Sequence, residues 1–315
     1  MNNKSILILV FAFISTICSA QPYSIAVIIK NQPDNIIILG AIKGDNFIVI
    51  DSAFAEKELV RFNLPKDAQS GMYRIKMGLT PYAKIMSEAP QQLDFIFNNE
   101  SIVLETDFKS PETKTKVIES EENEIWFDFI KKEQFIKQDL EEREKEVNYY
   151  WAKDETDEAV KAATEYNQLQ IEYNLFIAET TEKNNSTFAA KLISTFAEPL
   201  LDGYLTEIQR KELFQKEYFK TLDFTDESLM NSQGYTNNIF KYLISYNKKG
   251  LTQKQREKEY IKATDIILAN TNKNEKVYEF VLKYIVHGFE VLKLENVITY
   301  IADNYSGTTC QTDEY

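Results

Sequence analysis

The hydrophobic and polar positions of this chain follow two different periods, one in each half of the sequence. From residue 23 to about residue 108, short runs rich in β-branched and aromatic residues alternate with turn-forming residues, which is typical of β-strands. After about residue 120, apolar residues recur every three or four positions, which is the spacing of one helix face. The change of period predicts an α+β fold in which a β-rich part precedes an all-α part.

The β-rich part is predicted to contain seven strands. No helical pattern separates most of them, so we expect an N-terminal antiparallel, sandwich-like domain. Residues 44–46 tolerate positive φ and predict a hairpin turn, and Asn98 with Asn99 predicts another. Residues 78–92 fit either a strand with a loop or a short helix. The predicted strand sequences are YSIAVIIK, NIIILGAIK, NFIVIDSAF, ELVRFNL, GMYRIKM, LDFIFN and SIVLETDF.

The helical part follows a polar linker at residues 109–116 and opens with two long helices. Ser120 is the predicted N-cap of the first helix, and residues 153–157 are predicted to turn the chain into the second. Matching apolar stripes predict a long αα-hairpin packed much like a coiled coil, with a solvated, charged outer face. The stripe residues are Phe129, Ile136, Leu140, Val147 and Trp151 in the first helix, and Ala162, Tyr166, Leu169, Tyr173 and Phe176 in the second.

Two later helices have a recognisable start. Thr206 with Gln209, and Thr252 with Gln255, match the capping box, in which each side chain satisfies a backbone N–H of the other residue. The length of the chain also suits two domains better than one. The predicted organisation is a signal peptide at residues 1–20, a β-rich domain at 21–112, a helical domain at 113–305 and a tail at 306–315.

The first twenty residues have the pattern of a secretory signal peptide. Lys4 supplies a positive charge, residues 5–16 form the apolar stretch, and Ala20 is the small residue before a predicted cleavage at Gln21. This pattern predicts a periplasmic or secreted protein. The less favoured alternative is a lipoprotein anchored through Cys18, whose preceding residues fit the lipidation pattern poorly.

Charge and cysteine content narrow the classes of partner. The formal net charge of −13 opposes binding to nucleic acid and to anionic membrane surfaces, because both attract basic patches. No later run approaches the roughly 18 apolar residues of a membrane span, so we expect no membrane span after signal removal.

Cys310, in the tail, is the only cysteine that remains after signal removal and is a candidate free thiol. It is either inert or forms a mixed disulfide with a partner.

Residue types that carry chemistry are few. The sequence contains no G-x-S-x-G, P-loop, G-x-G-x-x-G or C-x-x-C motif. His287, the single histidine, lies among apolar helix positions and is predicted to be packed or half-buried rather than a metal ligand or base. Asp51 interrupts an apolar strand, and we interpret it as an outer-face residue rather than a binding carboxylate. The sequence therefore predicts no catalytic residue, metal or cofactor.

Several stretches in order resemble the N-terminal region of exported bacterial thioredoxin-like proteins of the TlpA or peroxiredoxin-like kind. They are GDNFIVIDSAF, GMYRI, FIFNNESIVLETDF, STFAAKLI followed by EP, and ENVITYIADNY. The resemblance implies a β domain of unknown function, then a helical segment, and in that family a thioredoxin fold with a C-x-x-C pair. This chain has no such pair, so the resemblance lends it no catalytic residue.

Two functions follow as expectations. The first is a non-enzymatic binding or interaction protein of the cell envelope, whose partner is a thioredoxin-like envelope protein or a small ligand. The alternative is a truncated or split thiol–disulfide oxidoreductase without its thioredoxin domain. The heptad-like stripes of the αα-hairpin make dimerisation conceivable and leave the oligomeric state open.

Overall fold

The computed structural model describes residues 23–33, 36–79, 85–86 and 89–305. The predicted signal peptide with Cys18, the cleavage site at Ala20 and Gln21, and the tail with Cys310 lie outside the described residues. Part of the ambiguous region at residues 78–92 also lies outside them.

The β part consists of two four-stranded sheets packed face to face. The first sheet has the strand order β4-β1-β7-β8, and the second has the order β3-β2-β5-β6. Seven of the eight described strands coincide with the predicted runs to within about two residues, an ordinary uncertainty for element ends. The strands are β1 (Tyr23–Lys30), β2 (Ile36–Lys43), β3 (Asn46–Phe54), β4 (Leu59–Leu64), β5 (Gly71–Lys76), β6 (Gln92–Phe97), β7 (Ile102–Asp107) and β8 (Lys116–Glu119).

The pairing is antiparallel throughout the second sheet, but the first sheet contains one parallel pair. β1 runs parallel to β7, with Ile25 opposite Ile102 and Val27 opposite Leu104. The predicted linker at residues 109–116 is also more ordered than expected. Residues 111–114 form the one-turn helix α1 (Pro111–Lys114). Lys116, the last residue of the predicted linker, begins β8, which pairs with β7. The polar composition of the linker indicates a loop, but Pro111 at the start of the helical turn and the pairing of Lys116 with Glu105 order the segment.

The helical part confirms the predicted αα-hairpin. The Ser120 side chain accepts a hydrogen bond from the Asn123 N–H and caps the first long helix, as predicted. Both predicted capping boxes are present. No helix among the residues described is both long and apolar enough to span a membrane. The remaining helices are α2 (Glu121–Ala152), α3 (Thr156–Lys183), α4 (Phe188–Ser194), α5 (Glu207–Glu217), α6 (Gly234–Ser245), α7 (Gln253–Thr271), α8 (Glu275–Val291) and α9 (Glu295–Tyr305).

Two apolar cores result, and the second joins the two parts of the chain. The first fills the sandwich, where alternate residues of both sheets face each other, including Phe62, Phe95 and Phe97. The opposite face of the second sheet is also apolar: Met72 and Ile96 pack in the same cluster as the helices. Strands β5 and β6 of the second sheet are therefore covered on both faces, on one by the first sheet and on the other by helices, whereas the edge strand β3 is largely exposed.

Two buried polar residues at the start of α2 fasten this junction. Asn123 pairs with the edge strand β6: its Oδ1 accepts from the Ile96 N–H at 2.8 Å and its Nδ2 donates to the Ile96 carbonyl at 2.7 Å. Glu122 accepts hydrogen bonds from the N–H groups of Phe188 and Ala189, at 2.9 and 2.7 Å, at the start of α4. The start of α2 thus connects the sheet with the helices through buried hydrogen bonds.

Candidate functional site

A cavity of about 640 Å³ lies where the second sheet meets the helices. We call it the interface cavity. One wall is the outer face of β5 and β6 with α1; the other walls come from α2, α4, α6 and the segment after α4. Its apolar lining includes Met72, Trp126, Phe127, Ile130, Leu192 and Phe196, and its polar lining includes Gln134, Glu133, Lys137, Glu198, Asn237 and Lys241.

Three charged side chains converge at one end of the interface cavity. Lys137 Nζ, from α2, lies 2.5 Å from Glu198 Oε1, and Lys241 Nζ, from α6, contacts the same oxygen. Lys137 also lies over the Tyr173 ring, 4.6 Å from its centroid, which is a favourable cation–π geometry. Lys137 is only 26% exposed and Lys241 is 44% exposed. We call these three residues the Lys–Glu–Lys cluster.

The surroundings shift the proton affinities of this cluster and of its neighbour Glu133. Burial disfavours the charged form of Glu198, but the ammonium groups of Lys241 and Lys137 outweigh it and hold the pKa of Glu198 below its ordinary value. Burial lowers the pKa of Lys137 in spite of the nearby carboxylates. It also raises the pKa of Glu133, although Lys137 opposes the shift. Of Glu133 and Glu198, Glu133 therefore gives up its proton less readily.

Three side-chain amides of α3 hold the backbone of Glu198, Leu201 and Gly203 in place. Asn174 donates to the Glu198 carbonyl at 2.8 Å and accepts from the Glu198 N–H at 3.2 Å. Gln170 does the same for Leu201, at 2.8 and 2.6 Å. Asn167 accepts from the Gly203 N–H at 2.7 Å. We call Asn167, Gln170 and Asn174 the amide ladder. It provides hydrogen-bond partners for backbone N–H and C=O groups of a segment outside regular secondary structure.

A second, smaller cavity of about 300 Å³ adjoins the first at the Lys–Glu–Lys cluster. Lys137, Glu198 and Lys241 line both cavities. Its other walls come from the αα-hairpin and include Leu140, Tyr166 and Tyr173. The cluster therefore stands between two cavities, with charged groups accessible from either side.

The raised pKa of Glu133 leads to a testable pH dependence of stability. Because the folded chain holds this proton more tightly than the unfolded chain, Glu133 costs stability as the pH rises from 4.5 through the raised pKa. We expect Glu133→Gln to be more stable than wild type at neutral pH by about 0.5–1 kcal/mol, a small value because the carboxyl keeps some solvent contact. The difference should disappear towards about pH 4, where both proteins carry a neutral side chain.

Denaturant unfolding at a series of pH values measures this difference. Glu142→Gln, an exposed change on the same helix, is the matched control and should shift stability by no more than about 0.5 kcal/mol at any pH. A Glu133→Gln protein less stable than wild type at neutral pH would contradict the expectation.

His287 and Asp51, which the sequence analysis discussed as candidates, do not line either described cavity. The prediction for His287 was wrong: its side chain is 78% exposed and lies 3.8 Å from Glu290. The buried stripe of α8 includes Ile285 and Phe289, and position 287 is rotated by about 200° from position 285, on the solvent side. Asp51 is exposed on the edge strand β3, as the favoured interpretation held, and accepts from the Ser52 N–H at 2.7 Å.

Sequence reasoning did not single out the residues that form the site. Glu133 and Lys137 are spaced by four on one helix, a signal that also describes many solvated helix pairs. The amide ladder, at helical spacing of three and four residues, was a readable polar stripe beside the apolar one. Among residues 23–33, 36–79, 85–86 and 89–305, no group of three or more metal-ligating side chains gathers.

Comparisons with known proteins give no relative for this chain. No family model, curated protein or solved structure matches it.

Proposed function

We propose that this chain is a non-enzymatic binding protein of the cell envelope and that the interface cavity is its small-ligand site. The observation that carries the proposal is the cavity itself: about 640 Å³ between two parts of the chain, with apolar walls and charged groups at one end. Sites for small molecules commonly have this size, this position between structural units and this mixture of apolar lining with a few polar groups. The envelope location is supported by the signal-peptide pattern and by the resemblance to exported thioredoxin-like proteins.

The charged groups at the end of the cavity fit binding well. Lys137 and Lys241 are both held by Glu198, whose backbone is fixed by Asn174. Side chains positioned in this way offer a ligand a preformed arrangement, so little ordering cost accompanies binding. The same groups would supply orientation, while the apolar walls supply most of the affinity.

Filling the cavity tests the proposal. Gln134 is exposed on α2 and lines the cavity, so Gln134→Trp places an indole in or across its opening. Gln138 is exposed one turn further along the same helix and lines neither described cavity, which makes Gln138→Trp the matched control. Ligands of the purified chain, found by thermal-shift screening of metabolites, should lose at least about tenfold in affinity in Gln134→Trp only.

Equal affinities in the two tryptophan variants would place binding elsewhere and overturn the site assignment. A screen without any ligand would overturn the small-ligand function itself. Reduction of insulin disulfides by the purified chain would contradict its non-enzymatic character.

A further inference from the structure

We infer that the interface cavity takes an amphipathic organic anion, whose carboxylate lies between the ammonium groups of Lys137 and Lys241 and whose apolar body packs on Trp126 and Phe196. This inference rests on the proposed function and names the chemical class of its ligand. Three features of the cavity carry it: the arrangement of the lysines, the pairing of the carboxylates and the position of the aromatic wall.

The two lysines have more hydrogen-bonding capacity than their shared partner uses. Both ammonium nitrogens lie within hydrogen-bond distance of one oxygen, Glu198 Oε1, so they are less than about 6 Å apart, twice the length of such a bond. Each ammonium group has three N–H donors. Glu198 accepts from one donor of each ammonium group, so the remaining donors can form charge-assisted hydrogen bonds to a second anion that lies between the two lysines.

Of the four acidic residues in the described lining of the cavity, a cationic ligand would find Asp94, Glu133 and Glu198 already beside protein cations, whereas Glu112, exposed on α1, takes part in none of these pairs. Asp94 receives two hydrogen bonds from the Arg74 guanidinium, at 2.5 and 2.6 Å. Glu198 is shared by the two lysines, and Glu133 interacts electrostatically with Lys137. An amine would have to displace a protein cation from Asp94 or Glu198, whereas an acid can add to the lysine pair without displacing a charge. The pairing thus favours an anion.

An apolar wall continues from the lysines towards the sheet. Trp126 and Phe196 lie edge to face with ring centroids 6.0 Å apart, and both line the cavity. Met72, from β5, lies on the sheet side. Because a small inorganic anion would leave this apolar surface in contact with water, the cavity suits a ligand that combines a carboxylate with an apolar body.

Three probes that share one apolar body test the class of ligand. They are phenylbutyrate, phenylbutanol and phenylbutylamine, titrated calorimetrically into the purified chain. We expect the acid to bind at least about tenfold more tightly than the alcohol, and the amine most weakly. The preference for the acid should vanish in Lys137→Gln/Lys241→Gln and persist in Lys132→Gln, an exposed lysine on α2 outside the cavity lining.

A second variant gives a change of opposite sign and does not depend on the double variant folding. Glu198→Gln removes the competing carboxylate, so the acid should bind more tightly than in wild type. Equal affinity for acid and alcohol, tighter binding of the amine, or no effect of the lysine substitutions would each overturn the anion assignment. If none of the probes binds while Gln134→Trp still abolishes binding of a screened ligand, the anion class is wrong and the proposed binding function stands.

Discussion

Glu122→Ala should lower the free energy of unfolding by about 3–5 kcal/mol, the largest loss we expect from a single substitution in this chain. Glu122 is only 4% exposed. It accepts from two backbone N–H groups at the start of α4 and from Asn98 Nδ2 at 2.6 Å. Removing the carboxylate leaves the two buried backbone donors without partners, at a cost of about 1–3 kcal/mol each, and the part-buried Asn98 amide also loses its acceptor.

Guanidinium unfolding followed by the fluorescence of the two tryptophans measures this loss. Glu124→Ala, an exposed change in the same turn of α2, is the matched control, and we expect it to cost less than about 1 kcal/mol. A loss below about 1 kcal/mol for Glu122→Ala would show that α4 keeps its start without the carboxylate.

Asn123→Ala should lower the free energy of unfolding by about 2–4 kcal/mol, because the Asn123 side chain makes two hydrogen bonds to the backbone of the edge strand β6. The Ile96 N–H and carbonyl, both paired with this amide, become unsatisfied in the variant. The Ser120 hydroxyl, 2.7 Å from Asn123 Nδ2, also loses a donor. We expect the damage to concentrate at the junction, so hydrogen exchange should accelerate in β6 and at the start of α2 before it changes in β1.

Asn237→Ala serves as the control because Asn237 is an exposed asparagine on α6. Its unfolding midpoint should stay close to that of wild type. Should Asn123→Ala unfold at the same denaturant concentration as Asn237→Ala, the pairing between Asn123 and β6 would not hold the sheet to the helices.

Local patterns predicted the elements of this fold because each element is encoded by its own residues. Short β-branched and aromatic runs between turn formers identified the strands. Ser120, Thr206 and Thr252 marked helix starts through hydrogen bonds that span only three residues. The parallel pairing of β1 with β7 could not be predicted in this way, because a run of apolar residues has no information about the direction of its neighbour.

The candidate site depends on contacts that are distant in sequence. Met72, Trp126 and Lys241 line one cavity although more than a hundred residues separate the last two. Lys137 is one of many charged residues on a helix whose outer face was interpreted as solvated. Its contact with Glu198, which is distant in sequence, distinguishes it from the others. A single sequence does not say which charged residue of a helix meets another element, so the site became visible only in three dimensions.

The amide ladder makes the length of one loop matter more than its composition. Its contacts reach the backbone of Glu198, Leu201 and Gly203, while the intervening Leu200 is 52% exposed and free to differ in size and polarity. One residue inserted between positions 198 and 203 would shift this register, since the ladder positions on α3 are fixed at about 1.5 Å of helix rise per residue. The Glu198 carboxylate would then be displaced from Lys137 and Lys241. An insertion or deletion here therefore moves the Glu198 carboxylate relative to the lysines, whereas a substitution of Leu200 leaves that position unchanged.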